Sequence, residues 1–480
     1  MSDPFPAPIY AETVLSHNFE DAKKYFLDAL IEIHYAHTRM LAGCALLTRE
    51  EEGKLLAALR GLDRNRIASA RFDGYAEDLF FFIEGLLETA AGRDLAGKMH
   101  TARSRNDIAV TLYRMTARRE ILGTARAIAD LRTVLIKFAN DHVMTVMPAH
   151  THTQPAQPTT LSHYLLGAIE FLGRDSARLQ AAFARVNLSP MGAAAITTSG
   201  FAIDRDRTAR LLGFDGLAEN SYGAIAAIDY ITETAAAVAV AMVNIGKLVQ
   251  DLLLWSTREF GYLRLSDAFV QTSSIMPQKR NPVALEHVRI LASRTLGEAQ
   301  AVLTCAHNTP FGDVNDSEDD LQPLVFSMFA DARRALRLLA GALGTAQVNT
   351  ALMADRARRD FLTVTELADT LVRREGLSFR EAHALVADAV RACGAHDDPA
   401  SLATALRKSR PGLMLTAKEI EHCLDPEHFV QIRTVTGGPA PGQTTAALER
   451  ATAEQRQIEK WIASTEASLD AARAGVTQGP

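Results

Sequence analysis

The eight residues His100–Asp107, HTARSRND, combine a predicted helix start with groups that bind anions. Ser104 and Asp107 have the S-x-x-D spacing of a capping box, which predicts that a helix begins directly after Ser104. A helix N-terminus presents free backbone N–H groups and the positive end of the helix dipole, and Arg103, Arg105 and Asn106 add side-chain donors. The segment is therefore a candidate carboxylate-binding site. A contact with RNA is the weaker alternative, because no wider basic field surrounds these arginines.

A second polar segment, His150–Pro158, has the sequence HTHTQPAQP. His150 and His152 are two residues apart, which can suggest a metal site, but the segment specifies no third ligand. A structural histidine with satisfied hydrogen bonds is the commoner alternative. Several neighbouring donors and acceptors nevertheless favour a substrate-binding loop in which His152 exchanges protons near neutral pH. These neighbours are Thr151, Thr153, Gln154 and Gln157.

The third candidate segment is Thr272–Pro282, TSSIMPQKRNP. Pro277 and Pro282 exclude a helix across it, which predicts a mobile loop. The loop offers hydroxyl, ammonium and amide groups to a ligand. They belong to Ser273, Ser274, Lys279 and Asn281.

The elements that must position these segments are predicted to be helices. Aromatic residues make up 6% of the chain, alanine is abundant and alternating β-branched runs are scarce, so an all-α protein is expected. Between Tyr222 and Trp255 the apolar residues are spaced alternately by three and four, which predicts a helical rod of roughly 45 Å. They are Ile228, Ile231, Ala235, Val238, Met242, Ile245, Val249 and Leu252.

Two other segments are long enough to pack along this rod, from Ser104 to about His142 and from about Leu161 to Arg185. The sequence therefore predicts a bundle of long helices. A rod with more than one apolar stripe leaves surface to bury, so association of several copies of the chain is also expected.

Length and composition narrow the class of protein. The chain has 480 residues, enough for two or three domains, with 48% hydrophobic residues, 22% charged residues and a net charge of -6. This balance does not favour a nucleic-acid or membrane-surface protein. The four cysteines are far apart, so neither a disulfide framework nor a thiolate zinc site is expected. The N-terminus has no signal-peptide pattern, and a cytoplasmic location is expected.

The three segments together resemble a known family. TSSIMPQKRNP resembles the G-S-S-x-M-P-x-K-x-N-P signature of the fumarase/aspartase superfamily. Within it, HTARSRND and THTQPAQP resemble the H-T-G-R-S-R-N-D and T-H-L-Q-R-A-Q-P motifs of the argininosuccinate lyases. FREAH from Phe379 and the stretch from Leu424 are similar to the C-terminal domain of that family, so the resemblance spans most of the chain. Adenylosuccinate lyase and the carboxymuconate cycloisomerases share the signature loop but not the combination of RSRND and FREAH.

The resemblance implies a fold and an assembly. It implies an N-terminal helical domain (1–108), a central long-helix bundle (109–358) with the signature loop at 271–282, and a C-terminal helical domain (359–480). It also implies a homotetramer with a twenty-helix core, in which loops from three subunits form each active site. No metal or organic cofactor, nucleic acid or membrane partner is implied.

The resemblance also implies a reaction, the anti elimination of fumarate from an N-substituted aspartate. It assigns the base to Ser273, with Ser274 a less favoured candidate, and the acid or acid relay to His152, oriented by Glu286. Lys279 and Asn281 would stabilise the charge on the intermediate. The substrate-binding residues would be Ser104, Arg105, Asn106, Thr151, Gln154, Ser274, Met276 and Asn281.

The half of the site that would bind arginine departs from the family pattern. Argininosuccinate lyases have Y-N-K-D-x-Q-E-D-K where this chain reads DVNDSEDDL, so Asp313, Glu318 and Leu321 replace a tyrosine, a glutamine and a lysine. Phe80 stands where the family has a histidine. These changes favour an amine other than arginine, as in the ethylenediamine-N,N'-disuccinate lyases. The alternatives are a genuine argininosuccinate lyase and a catalytically inactive, crystallin-like structural protein.

Overall fold

The apolar seam predicted between residues 222 and 255 forms the central helix of the molecule. The computed structural model describes residues 5–394 and 397–478, and in it α12 spans Asp229–Trp255. Every seam residue within this helix is buried, and Ile228, just before it, is partly buried. The predicted rod is thus confirmed, although it starts later than Tyr222, because a separate short helix, Ser221–Ala226, precedes it.

The other two predicted long helices are also confirmed. They are α8 (Arg105–Asn140) and α9 (Leu161–Val186), and two further helices, α13 (Val283–Ala306) and α14 (Gln322–Leu343), complete the bundle. α12 packs against α9 and α13, α13 packs against α14, and α8 packs against α9 and α14. The 36 residues of α8 extend over about 54 Å, so its first turn lies far from its last.

Shorter helices precede, interrupt and follow the bundle. Before α8 the chain forms α1 (Pro8–Tyr10), a π-helical turn (Ala11–Leu15), α2 (Ser16–Tyr25), α3 (Leu27–Gly43), α4 (Arg49–Arg60), α5 (Arg64–Ser69), α6 (Leu79–Ala91) and α7 (Arg93–Met99). Within the central part lie α10 (Arg205–Leu211), α11 (Ser221–Ala226) and two 3-10 turns (Asp267–Phe269 and Asn315–Ser317). After α14 come α15 (Thr350–Ala357), α16 (Val364–Glu375), α17 (Phe379–Cys393), α18 (Pro399–Ser409), α19 (Ala417–Cys423), α20 (Pro426–Gln431) and α21 (Pro441–Gln478).

The described residues include four small two-stranded sheets. The largest pairs β1 (Val146–Thr151) with β2 (Gln154–Thr160), where the sequence predicted a polar loop, so that local prediction is wrong. Prolines disfavour a central strand but are tolerated in a two-stranded ribbon, where each strand has a free edge. The other strands have two residues each: β3 (Leu188–Ser189) with β4 (Gly216–Leu217), β5 (Leu263–Arg264) with β8 (Gln347–Val348), and β6 (Gln271–Thr272) with β7 (Arg280–Asn281). The all-α class is confirmed.

The apolar residues form one large core and one small one. The large core runs through the bundle and the N-terminal helices, and α21 also packs on it through residues such as Leu448 and Ile462. The small core is built by the segment from Leu367 to Leu424. The division into domains at 108 and 358 stays a prediction.

By length and composition alone, α12 could cross a membrane, with a mean hydropathy of 1.6 over its most apolar window. Half of that window is buried inside the subunit, as expected for the central helix of a bundle.

Candidate active site

The first turn of α8 is held in place by a buried carboxylate. Asp107 accepts the backbone N–H of Ser104 at 2.8 Å, which completes the predicted capping box. Its other oxygen accepts the N–H groups of Gly192 (2.8 Å) and Ala194 (3.0 Å) from the loop that follows β3. The start of the long helix is therefore fixed to a segment about 85 residues further along the chain.

Arg103 supports this turn from behind and does not face a ligand. Its side chain is fully buried, with Nη1 donating to Nδ1 of His34 at 2.9 Å and Nη2 3.5 Å from Glu84. Burial and the neighbouring Arg103 guanidinium hold the pKa of His34 well below its ordinary value. The imidazole therefore stays neutral and can accept the bond from Arg103.

Arg105 and Asn106 face the outside of the turn. The guanidinium of Arg105 pairs with Glu77 (3.1 Å) and Asp78 (2.8 Å) and lies over the Phe81 ring. The Ser104 hydroxyl donates to Oδ1 of Asn106 at 2.5 Å. This bond points the amide nitrogen of Asn106 away from the turn, where it can donate to a carboxylate.

An acidic wall contacts these donors. Together with apolar side chains of the N-terminal helices, the wall and the donors line a cavity of about 440 Å³. The amide nitrogen of Asn106 donates to Asp313, and Asp319 accepts the Tyr113 hydroxyl at 3.1 Å. Leu321, by contrast, is buried in the large core and does not line the cavity. The wall thus consists of the carboxyl groups of Glu77, Asp78, Asp313, Glu318 and Asp319.

Two carboxyl groups of the wall share a proton. Burial, a hydrogen bond with Asp313 and the negative charges of Asp313 and Asp319 raise the pKa of Glu318 to about 10. Glu318 is therefore neutral at neutral pH and bonds Asp313, which keeps the charge of the pair near one negative unit. Desolvation also raises the pKa of Asp319.

The histidine segment is a hairpin that presents His152 at its tip. Thr151 pairs with Gln154, so His152 and Thr153 form the turn, with φ values of +51° and +64°. Such two-residue turns require positive φ at both central positions and are usually occupied by Asn-Gly. A histidine and a β-branched threonine hold this conformation at a cost of about 1–3 kcal/mol each.

The two histidines of this segment have different surroundings. Thr151, His152 and Gln154 are exposed. The ring of His150 lies 5.5 Å from that of Phe260, and burial lowers the pKa of His150. His150 is therefore partly buried against Phe260, whereas His152 is exposed at the tip of the hairpin.

The signature loop places the predicted base under two backbone donors. Oγ of Ser273 accepts the N–H groups of Ile275 (3.3 Å) and Met276 (3.1 Å). Backbone donors placed in this way can stabilise negative charge on an oxygen. β6 and β7 close the base of the loop, and Lys279 donates its N–H to the Met276 carbonyl at 3.0 Å.

The remaining predicted residues flank Ser273. Ser274, Met276 and Lys279 are exposed on the loop, and Asn281 is half-buried at its end. Glu286 lies on the first turn of α13 and is exposed.

A single subunit brings only some of the predicted residues together. The structure places Arg105 and Asn106 at one cavity, and Ser104, which does not line it, bonds Asn106. Across the described ranges, no hydrogen bond or ion pair links this group to His152 or to the signature loop. Nor does either interaction connect His152 with Glu286. Each of the three segments is instead presented on the surface.

Several residues of the acidic wall were not predicted from the sequence. Glu77 and Asp78 lie just before Phe80, and only the replacement of the family's histidine by Phe80 pointed to this stretch. Asn18 and Tyr113, which hold Asp319 at 3.3 and 3.1 Å, carried no motif at all. A helical periodicity count would place Tyr113 on α8 but could not indicate its partner about 206 residues away.

No group of three or more His, Cys, Asp or Glu residues that could hold a metal ion occurs in the stretches 5–394 and 397–478.

Comparison with known proteins identifies related lyases. Residues 82–297 match the lyase family, and residues 361–431 match the argininosuccinate lyase C-terminal family. Argininosuccinate lyase 2 of Agrobacterium fabrum is 44% identical over 445 residues, which cover 91% of this chain and 88% of that protein. The argininosuccinate lyase of Methanoculleus marisnigri is 39% identical over 460 residues, covering 94% and 92%.

Solved structures agree with these relatives. EDDS lyase in complex with formate has a TM-score of 0.87 at 32% identity, covering 99% of this chain and 96% of the other. A variant of EDDS lyase with bound fumarate gives the same TM-score and identity, covering 98% and 96%. A class II fumarase from Schistosoma mansoni, at 14% identity and a TM-score of 0.70, covers 88% and 92% and shares the fold.

The helical bundle, its signature loop and these matches define a carbon–nitrogen lyase with the fumarase/aspartase fold. Within that superfamily the chain belongs to the argininosuccinate lyase family.

Proposed function

We propose that the protein cleaves an N-substituted aspartate to fumarate and a free amine by reversible anti elimination. The observation that carries the proposal is the Ser273 hydroxyl, whose oxygen accepts two backbone N–H groups on an accessible loop. An ordinary serine is too weak a base to remove a proton from carbon. Backbone donors that stabilise its alkoxide make this proton transfer less unfavourable.

In the proposed reaction Ser273 takes the proton from the carbon next to a substrate carboxylate. That carboxylate then bears a second negative charge, which Lys279, Asn281 and loop N–H groups stabilise. The C–N bond breaks, its electron pair stays on nitrogen, and His152, oriented by Glu286, supplies the proton that the amine requires. Substrate carboxylates bind Ser104, Arg105 and Asn106, and Thr151, Gln154, Ser274 and Met276 complete the pocket.

This proposal requires more than one subunit, because no bond joins the three segments within a single described subunit, and we infer the homotetramer that the family resemblance implies. The solvent-exposed face of α12 supports this association of subunits. Val240, Val243 and Leu254 lie on that face at 41%, 47% and 46% exposure, and Ile290 of α13 is 54% exposed. A second apolar stripe of this kind is what a helix at the centre of a multi-subunit bundle requires. A cytoplasmic location belongs to the same proposal.

The amine is proposed to differ from arginine. Argininosuccinate places a carboxylate at the amino-acid end, and the acidic wall would repel it. A second positive charge on the leaving amine would instead be attracted by Asp313 and Asp319, and neutral Glu318 would accept a hydrogen bond from it. Ethylenediamine-N,N'-disuccinate is a substrate with this chemistry, and argininosuccinate is the second candidate, favoured by the relatives of 39–44% identity.

The test is the reverse reaction with a panel of amines. Purified protein is incubated with fumarate and either arginine, ethylenediamine or simple monoamines, and the loss of fumarate absorbance is followed. Faster addition of diamines than of arginine is expected. Faster addition of arginine would replace the amine assignment with argininosuccinate, and no addition with any amine would contradict the whole proposal.

A further inference from the structure

Asp313 accepts the hydrogen bond from the Asn106 amide that the proposed function assigns to a substrate carboxylate. The amide nitrogen of Asn106 donates to Oδ2 of Asp313, and the Ser104 hydroxyl fixes the orientation of that amide. A side-chain carboxylate of the protein therefore sits where a carboxylate of the substrate is expected to bind. In the empty site the donor and the acceptor satisfy each other.

Asp313 belongs to a strap, residues 309–321, that crosses from α13 to α14 over the first turn of α8. The strap is held at both ends. The Tyr222 hydroxyl donates to the Phe311 carbonyl at 3.0 Å with the two rings 5.5 Å apart, and Asp319 accepts the Tyr113 hydroxyl. Asp313 lies between these two anchors, so its side chain can leave Asn106 without release of the strap.

The second oxygen of Asp313 has no permanent donor. Oδ1 is buried, and no N–H or hydroxyl group of the described residues bonds it. The neighbouring Glu318 can bond Asp313 only while Glu318 holds a proton. Of the other charged groups at the cavity, Glu77, Asp78 and Asp319 are acidic, and Arg105 is already paired.

We propose that Asp313 selects substrates in which a carboxylate and a cationic nitrogen lie close together. The carboxylate of the substrate replaces Asp313 on Asn106, and Asp313, once released, pairs with the ammonium of the amine half. Asn106 thus exchanges Asp313 for the substrate carboxylate, and Asp313 exchanges Asn106 for the ammonium group. This inference rests on the proposed function, because it uses the assignment of Asn106 to a substrate carboxylate.

The exchange makes Asp313 a specificity residue with two opposite effects. A dicarboxylate without a cationic nitrogen must displace Asp313 from Asn106 but forms no ion pair with the released carboxylate. Its binding is therefore disfavoured. A ligand with an ammonium group offsets the cost of displacing Asp313, because the ammonium pairs with the released carboxylate. If Asp313 had a purely structural role, its replacement would weaken the binding of both kinds of ligand together.

The experiment compares Asp313→Asn with Asp320→Asn in the full-length protein. Succinate, which has two carboxylates and no amine, and ethylenediamine, which has two amines and no carboxylate, are titrated separately by calorimetry. Asp313→Asn is expected to bind succinate about tenfold more tightly and ethylenediamine about tenfold more weakly than the wild type. Asp320 is exposed on the same strap, so Asp320→Asn removes the same charge without touching Asn106 and should change either affinity by less than about twofold.

Three outcomes would overturn the inference. They are a shift of both affinities in the same direction, an equal response of Asp320→Asn, and a wild type that binds neither probe. Thermal unfolding of both variants shows whether the fold is retained. These binding measurements need no turnover, so a failure of the proposed reaction in the amine panel is distinguishable from a failure of the Asp313 exchange.

Discussion

The carboxylate of Asp107 accepts the backbone N–H of Ala194 at 3.0 Å, and Ala194 adopts a φ of +50° to provide it. Alanine avoids this left-handed conformation because its Cβ approaches the backbone. The anchor of the α8 turn is therefore made at a local cost.

Replacement of Ala194 with glycine should stabilise the protein. We expect the free energy of unfolding to rise by about 1 kcal/mol, because glycine adopts positive φ without strain. Ala195→Gly is the matched control, since Ala195 does not have positive φ, and it should lower the stability by about 0.5 kcal/mol. Denaturant unfolding measures both, and equal effects would show that the conformation of Ala194 carries no strain.

Replacement of Ser273 with alanine should remove turnover and leave the assembly intact. The loss of a general base lowers kcat by about 100-fold to 10,000-fold, and the half-buried loop position contributes little to the core. Ser274→Ala is the matched variant and should reduce kcat far less. Fumarate release and gel filtration are the measurements. Substantial residual turnover in Ser273→Ala would reassign the base.

The pH dependence of stability should reflect Glu318. Its pKa is about 10 in the folded chain and about 4.5 as its ordinary value, so between these values the folded state binds the extra proton. Folded-state stability from this group is fully present below pH 4.5 and is lost as the pH rises towards 10. Glu318→Gln, which cannot titrate, should therefore gain in melting temperature relative to the wild type as the pH increases. A difference that stays constant with pH would contradict the shared proton.

A charge on the outer face of α12 should disrupt the proposed tetramer. Val243 is 47% exposed there, and Val243→Lys would place an ammonium group in an apolar interface between subunits. We expect smaller species in analytical ultracentrifugation, retained helical content and loss of activity, since the proposed sites need several subunits. Val435→Lys is the control, because Val435 is 80% exposed on a loop before α21. A fully active monomer would refute the shared site.

Local sequence patterns predicted the positions of several helices of this protein. The heptad spacing from Ile231 to Leu252 predicts α12 because period and burial are properties of one continuous segment. The capping box of Ser104 and Asp107 predicts the start of α8 for the same reason. The sequence also indicated the chemistry of the loop around Ser273, since its residue types and order are specific.

Only the tertiary structure decided which distant groups meet. The contact of Asn106 with Asp313 joins residues 207 positions apart, and that of Asp107 with Gly192 joins residues 85 apart. No periodicity encodes such pairs, because they depend on how α8, the strap and the loop after β3 pack in three dimensions. The hairpin around His152 was missed because prolines weaken the strand pattern, whereas pairing between two short edge strands tolerates them. The sequence thus indicated candidate site residues, and the packing of the long helices decided which of these residues contact distant partners.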